Sequence, residues 1–219
     1  MKCLLAIPAF NEATRITPII ESASKAIPEI LVVDDGSVDG TASVASRAGA
    51  RVVRHEQNLG KGEALKTAFA FAIKEGYDWL FTIDGDGQHD PDDLKGFFPL
   101  LNDYDLILGN RMTDSGRVPF VRRLANRTSS AIVSALCGSP IEDSQTGFRA
   151  HRVDLLRALD LKTQRFALES EIIIKAARSG FRIGHCRIKT IYGDEKSRFR
   201  TLRDSLKFLS MAVRLFFSQ

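Results

Sequence analysis

The chain has 219 residues, of which 44% are hydrophobic and 26% are charged, and its formal net charge at pH 7 is +4. This balance fits one globular domain and excludes a disordered chain, because enough apolar surface is available to offset the entropy of folding. No stretch reaches the roughly 18 consecutive apolar residues of a membrane-spanning helix, and three separated cysteines indicate buried thiols in a reducing compartment.

The first half of the sequence alternates short apolar runs with helical patterns. Continuous apolar strands that alternate with helices are typical of a parallel sheet covered on both faces. We therefore predict a Rossmann-like α/β fold with a mostly parallel sheet, in which ligands bind beyond the carboxyl ends of the strands. The predicted strands are 4–7, 30–34, 51–54 and 79–83, and the predicted helices are 12–26, 41–48 and 63–75.

The pattern changes beyond a helix start at Asp90-Pro91 and a fifth strand at 106–109. No linker interrupts the chain, so we predict a single domain, with a donor-binding half at about 1–110 and an acceptor-binding half at about 111–219. The later predicted elements are helices over 119–136, 168–179 and 201–217 and a strand over 181–188.

The strongest chemical signal follows the fourth strand, where the sequence reads Asp84-Gly85-Asp86-Gly87-Gln88. In an extended backbone the spacing of Asp84 and Asp86 places both carboxylates on one side. Glycines between them allow a bulky ligand to approach the backbone. Oxygen ligands suit Mg²⁺ or Mn²⁺, which share their coordination shell with substrate phosphates. A turn rich in Asp and Gly is the structural alternative.

Polar residues also follow the first two strands. The first strand ends in Pro8-Ala9-Phe10-Asn11-Glu12, and the second ends in Asp34-Asp35. The carboxyl ends of parallel strands meet at one edge of a sheet, so we expect these residues near Asp84. One of the two aspartates is expected to cap the helix at Thr41, and the other to bind ribose hydroxyls or a base edge.

Taken together and in this order, four segments resemble the family 2 glycosyltransferases. They are 8–12, 32–41, 58–62 and 84–88. Three later segments are similar to motifs of the polyprenyl-phosphate sugar transferases within that family, namely 108–111, 143–149 and 195–199. The resemblance implies the GT-A fold, a nucleotide-sugar donor such as GDP-mannose or a UDP-sugar, inversion at the anomeric carbon, and a divalent metal held through an Asp-x-Asp motif.

The resemblance also implies roles for individual residues. Those expected around the nucleotide base and ribose are Pro8, Phe10, Glu12, Val33 and Asp35. Those expected around the metal and the diphosphate are Asp84, Gly85, Asp86 and Gln88, with Lys61 nearby. Those expected to bind phosphate groups of donor and acceptor are Arg111, Arg123 and Lys196. Phe10 stands where the subgroup often has Tyr, which keeps stacking on a base and removes a hydroxyl contact.

The implied acceptor is a polyprenyl phosphate, whose oxygen is already anionic and needs no strong base. A sugar hydroxyl, as in cell-surface polysaccharide synthesis, would need one. Asp143 is then the candidate base, unless it caps a turn or pairs with Arg149.

A nucleotidyltransferase and a non-catalytic nucleotide-sugar-binding module are further alternatives. The missing Gly-rich N-terminal loop argues against the first, and the intact Asp84/Asp86 pair argues against the second.

The C-terminal segment predicts an amphipathic helix with basic flanks. Its apolar stripe is Leu202, Leu206, Leu209, Val213 and Phe216. Such a helix either packs on the sheet or lies on an anionic membrane surface. We therefore expect a cytoplasmic enzyme in peripheral contact with the cytoplasmic membrane face, with no nucleic acid as partner.

Overall fold

The computed structural model describes residues 1–111, 120–163, 167–189 and 191. These residues contain one seven-stranded sheet in the order β3-β2-β1-β4-β6-β5-β7. The strands are β1 (Cys3–Ala9), β2 (Ile30–Asp34), β3 (Arg51–Arg54), β4 (Trp79–Thr82), β5 (Leu106–Asn110), β6 (Arg149–Arg152) and β7 (Ile183–Arg187).

Six helices surround this sheet in the part of the chain that is described. They are α1 (Ile16–Ala23), α2 (Thr41–Arg47), α3 (Lys61–Lys74), α4 (Phe120–Cys137), α5 (Val153–Ala158) and α6 (Ala167–Arg178). Two short 3₁₀ segments lie between β4 and β5, and the first starts as predicted, with the Asp90 carboxylate accepting a hydrogen bond from the Asp92 N–H at 3.0 Å. The predicted C-terminal helix at 201–217 lies outside the described residues. None of the described helices is both long and apolar enough to cross a membrane.

The sheet is mostly parallel, which confirms the predicted fold class. β6 alone runs antiparallel to its neighbours β4 and β5. The chain moves outward from β1 to β2 and β3, and then returns to place β4 on the other side of β1. This reversal is the switch point of the sheet, and the ligand crevice of parallel α/β sheets is expected there, between the carboxyl ends of β1 and β4.

Apolar strands give this sheet a core on each face. On one face, Leu4, Val33 and Leu80 pack with residues of α3 and α6. On the other face, Ile7 and Phe81 pack with residues of α1, α2 and the 3₁₀ segments. Strands that are apolar on both sides need both coverings, because either exposed face would leave buried-type side chains in water.

Three local expectations are corrected. The first helix begins at Ile16 and not at Glu12, because Asn11 adopts a left-handed backbone with φ 56° and the chain turns there. Neither Asp34 nor Asp35 caps α2, since Asp39 Oδ1 accepts the Thr41 N–H at 3.0 Å. β6 and α5 were not predicted, because the β6 sequence Arg-Ala-His-Arg is polar by composition although three of its four residues are buried.

Candidate active site

The loops that follow β1 and β2 interlock beside the crevice. The Asn11 N–H donates to Ser37 Oγ at 2.9 Å, and the Val38 N–H donates to Asn11 Oδ1 at 3.0 Å. The Glu12 N–H donates to Thr41 Oγ1 at 2.9 Å. These bonds hold the loop after β1, and three of the residues expected at the donor lie in this loop and at the end of the strand before it. Of these, Pro8 and Phe10 are partly exposed and Glu12 is buried.

Asp35 connects the end of β2 to the loop before α3. Its Oδ1 accepts the Leu59 N–H at 2.9 Å and lies 2.8 Å from His55 Nδ1, while its Oδ2 accepts the Gly60 N–H at 2.7 Å. This carboxylate therefore fixes the start of α3, whose first residue is Lys61. The neighbouring Val33 side chain lies in the core beneath α3, so only its main chain can face a ligand.

Lys61 lies between two carboxylates at the carboxyl end of β4. Its Nζ is 2.6 Å from Asp84 Oδ1 and 3.1 Å from Glu169 Oε1. Burial favours the neutral form of Lys61, but both carboxylates outweigh it and raise the pKa of the ammonium above its ordinary value. Burial likewise opposes ionisation of Asp84, and Lys61 and nearby groups reverse this to lower its pKa. Both groups are therefore charged at neutral pH.

Gly147 packs directly against the Asp84 carboxylate. A Cβ at position 147 would lie 2.3 Å from Asp84 Oδ2. The carbonyl of Gly147 also accepts a hydrogen bond from Thr82 Oγ1 at 3.0 Å, which ties its loop to β4. On the other side of the strand end, a Cβ on Gly85 would lie 3.2 Å from the Pro8 carbonyl. Because Gly85 and Gly147 have no side chains, the end of β1, the loop after β4 and the loop before β6 can meet at Asp84.

Asp86 and Gln88 complete the expected metal-binding set. The Gln88 N–H donates to Asp86 Oδ1 at 3.0 Å, and the Gln88 carbonyl accepts the Ile191 N–H at 2.9 Å. Among the residues that the structure describes, no three His, Cys, Asp or Glu side chains gather to hold a metal unaided. Carboxylate and amide oxygens at Asp84, Asp86 and Gln88 nevertheless fit Mg²⁺ or Mn²⁺, which bind through one or two carboxylates together with substrate phosphates.

His89 is buried beneath this loop. Burial lowers its pKa to about 4, so the ring is neutral at physiological pH. Its ring centroid lies 5.6 Å from that of Phe148, and its Nδ1 finds no hydrogen-bond partner within the described part of the chain. The neutral ring therefore serves mainly as packing under the Asp84 loop.

Asp143 pairs with Arg111 rather than with Arg149, and its Oδ1 also caps the following turn by accepting the Gln145 N–H at 3.1 Å, as one of the two structural alternatives predicted. Arg111 Nε and Nη2 donate to the two Asp143 oxygens at 2.7 and 2.9 Å, and Asp143 is fully buried. Burial opposes ionisation, but the Arg111 guanidinium lowers the pKa of Asp143 below its usual value. A carboxylate held in this way is a poor proton acceptor near neutral pH. The Arg111 side chain keeps 19% of its surface exposed.

Arg149, which was not proposed as a site residue, organises the loop behind Asp84. It is buried and donates to the carbonyls of Thr146, Glu169 and Ser144 at 2.8, 2.7 and 3.0 Å. The Gly-Phe-Arg sequence that ends the 143–149 motif is the signal that could have identified it. Arg123 lies in α4, but its side chain, like all of Lys196, is outside the described residues.

Comparisons with known proteins show which family the chain belongs to. Residues 5–160 match the protein family described as glycosyl transferase family 2. The undecaprenyl-phosphate mannosyltransferase of Micrococcus luteus is 31% identical over 196 residues, with 84% of this chain and 81% of that protein covered. The UDP-N-acetylglucosamine–dolichyl-phosphate N-acetylglucosaminyltransferase of Methanococcus voltae is 32% identical over 213 residues, with coverages of 86% and 85%.

A solved structure shares the fold. It is the glucosyl-3-phosphoglycerate synthase of Mycobacterium tuberculosis in complex with Mn²⁺, UDP-glucose and phosphoglyceric acid. Its TM-score is 0.71 at 27% identity, and the match covers 98% of this chain and 77% of that one.

Proposed function

This chain belongs to glycosyl transferase family 2, and from that premise we propose that it transfers a sugar from a nucleotide-sugar donor to a polyprenyl phosphate. The observation that carries the proposal is the contact of Lys61 with Asp84, at the start of segment 84–88, with the Arg111 guanidinium near enough to stabilise the Asp84 charge. Such a site suits a diphosphate leaving group and a phosphate acceptor. The two relatives named above act, by their names, on undecaprenyl and dolichyl phosphates.

In this proposal the donor lies along the loops after β1 and β2. Pro8, Phe10, Glu12 and Asp35 border its base and ribose. GDP-mannose and UDP-sugars are the donors to test first. When bound, Mg²⁺ or Mn²⁺ held by Asp84, Asp86 and Gln88 would supply Lewis-acid stabilisation of the diphosphate.

The transfer is a single displacement at the anomeric carbon. An acceptor phosphate oxygen forms the new bond to that carbon, while the bond from the carbon to the donor diphosphate breaks, with inversion. Lys61 and Arg111 offset charge that develops on the leaving group and on the approaching phosphate. The acceptor oxygen is already anionic, so the chain needs no general base, and the pairing of Asp143 with Arg111 supports this reading over a hydroxyl acceptor.

The proposal also places the protein at the membrane surface, because its acceptor is a lipid. The basic amphipathic segment at 201–217 is the proposed contact. Sedimentation with anionic liposomes should recover the protein in the pellet at low salt and release part of it at high salt. Protein that stays in the supernatant under both conditions contradicts this placement.

The acceptor is tested by a radiolabelled-donor assay. UDP- and GDP-sugars are first screened with Mn²⁺ by thermal shift, since a donor at a hundred times its dissociation constant stabilises a fold by about 2.7 kcal/mol. Short polyprenyl phosphates and soluble sugar acceptors are then compared. Label in the lipid supports the proposal. Label only in a soluble hydroxyl acceptor overturns it, and donor binding without any turnover indicates a binding module.

The metal is tested at Asp86. We expect Asp86→Ala to abolish transfer while the protein stays folded, because the variant loses an oxygen ligand without losing an apolar contact. Asp92→Ala is the matched control, since Asp92 is an exposed acid a few residues away, paired with Lys95 at 3.4 Å. Full turnover of the wild type in excess chelator would contradict the metal role.

A further inference from the structure

We propose that Glu169 is a positioning residue for sugar transfer, which holds the Lys61 ammonium at the diphosphate subsite beside Asp84. The inference rests on the proposed function and deepens it. No sequence motif singled out Glu169, and its contact with Lys61 joins residues 108 positions apart in the chain.

Three separate elements meet at the Lys61 ammonium. Lys61 is the first residue of α3, Asp84 follows β4, and Glu169 lies in the first turn of α6. A lysine stem is long and flexible, and a single acceptor leaves it free to pivot. Two acceptors on different elements, at 2.6 and 3.1 Å, define the position of Nζ. Glu169 is therefore the second of two hydrogen-bond acceptors that fix the position of the Lys61 ammonium.

Glu169 is itself held by the scaffold of the site. Arg149 Nη1 donates to the Glu169 carbonyl at 2.7 Å, and Arg149 Nη2 lies 4.0 Å from its carboxylate. The same guanidinium binds the carbonyls of Ser144 and Thr146, just before the glycine that packs on Asp84. The buried Arg149 side chain thus holds in place both Glu169, which contacts Lys61, and the loop that packs against Asp84.

Electrostatic reasoning distinguishes a positioning role of Glu169 from a direct effect of its charge on the donor. A second carboxylate beside a diphosphate subsite repels the donor through space, so its charge alone would weaken donor binding. Its benefit must come from the place it gives to Lys61. An amide at this position keeps the acceptor oxygen and removes the charge, whereas a methyl group removes both.

Two substitutions at Glu169 therefore have different expected effects. Glu169→Ala should lower kcat by about tenfold to a hundredfold, the usual effect of losing an outer partner of a site group, with a smaller change in the donor KM. Glu169→Gln should restore most of that kcat without raising the donor KM.

Glu171→Gln is the matched control. Glu171 is buried on the same helix, and its carboxylate binds the Thr163 N–H at 2.8 Å and Lys175 at 2.7 Å, away from Lys61. This variant should lower the melting temperature and leave kcat and KM unchanged.

A double-mutant cycle with Lys61→Ala tests whether Glu169 affects kcat through Lys61. If Glu169 acts through Lys61, Glu169→Ala adds no further loss of kcat in the Lys61→Ala background. Losses that multiply in the double variant overturn the inference, as does a Glu169→Ala kcat equal to that of Glu171→Gln. Wild-type protein that transfers no sugar and hydrolyses no donor would instead overturn the proposed function, and this inference with it.

Discussion

Single residues set the geometry around Asp84, and Gly147 is the most constrained of them. Any side chain at this position meets the Asp84 carboxylate, with a Cβ lying 2.3 to 2.6 Å from its atoms. We expect Gly147→Ala to displace Asp84 and lower transfer at least tenfold, with an overpacking cost of about 1–3 kcal/mol. Turnover and urea denaturation measure the two effects. Activity equal to wild type would mean that the displaced carboxylate is not needed.

Asp35 carries a second prediction at this scale. We expect Asp35→Ala to weaken donor binding more than it alters the Mn²⁺ dependence, because Asp35 fixes the loop at the donor edge through the Leu59 and Gly60 N–H groups. Isothermal titration with the donor measures the affinity. Asp105→Ala is the control, since Asp105 is a buried acceptor at the start of β5, bonded to Arg152 and Arg182. If both variants lose only stability, Asp35 is purely structural.

At the scale of elements, the loop between α4 and β6 depends on Arg149. A lysine cannot reach the three carbonyls that the guanidinium serves. We expect Arg149→Lys to lower the free energy of unfolding by about 2–4 kcal/mol, since buried carbonyls are left unpaired. Chemical denaturation measures this loss.

The control for that experiment is Arg157→Lys on the exposed side of α5. Arg157 pairs with Asp154 at 3.0 Å, and both side chains are more than half exposed. Such a substitution should change stability by less than about 0.5 kcal/mol. A comparable loss in both variants would contradict the role assigned to Arg149.

The elements that the sequence predicted well are those with local signals. Strands β2 and β3 were predicted with their observed bounds, because a continuous apolar run marks the first and a pair of β-branched valines marks the second. β6 was not predicted, since its burial depends on pairing with β4 and β5 and not on its own composition. The antiparallel direction of β6 has no periodic signal either.

The same distinction between local signals and long-range packing applies to the residues of the candidate site. Asp84, Asp86 and Gln88 were proposed from their spacing at a strand end, which is a local signal. Their surroundings are not local, because Lys61 and Gly147 reach Asp84 from distant parts of the chain. The contacts of Lys61 with Glu169 and of Asp143 with Arg111 were not predicted, because they form only when distant elements pack together. Nothing in the sequence around Asp143 distinguishes Arg111 from Arg149 as its partner.

For the molecule as a whole, buried histidines make stability sensitive to acid. Burial lowers the pKa of His151 to about 3, against a usual value of 6.5. Above pH 6.5 the ring is neutral in both states, and as the pH falls toward 3 only the unfolded chain takes up the proton. From pH 7 to pH 5 we expect His151 to remove about 2 kcal/mol of stability.

His151→Leu tests this linkage. The substitution replaces a ring packed in the core against Phe69 by an apolar group of similar size, without a titrating nitrogen. Urea unfolding at pH 7 and pH 5 should show a smaller loss of stability in the variant than in the wild type, by about 2 kcal/mol. An equal loss in both proteins would place the acid sensitivity elsewhere, with His89 as the next group to replace.

The position of β6 between β4 and β5 also has a consequence for the growing polypeptide on the ribosome. β1 to β4 can pair as soon as Thr82 has emerged, but both neighbours of β5 are encoded later. From the synthesis of Asn110 until that of Arg149, the nascent chain carries an apolar strand with no partner on either edge. Unpaired strands of this kind recruit other chains. We therefore expect translation that stalls in this interval to yield fragments prone to aggregation and to quality-control proteolysis.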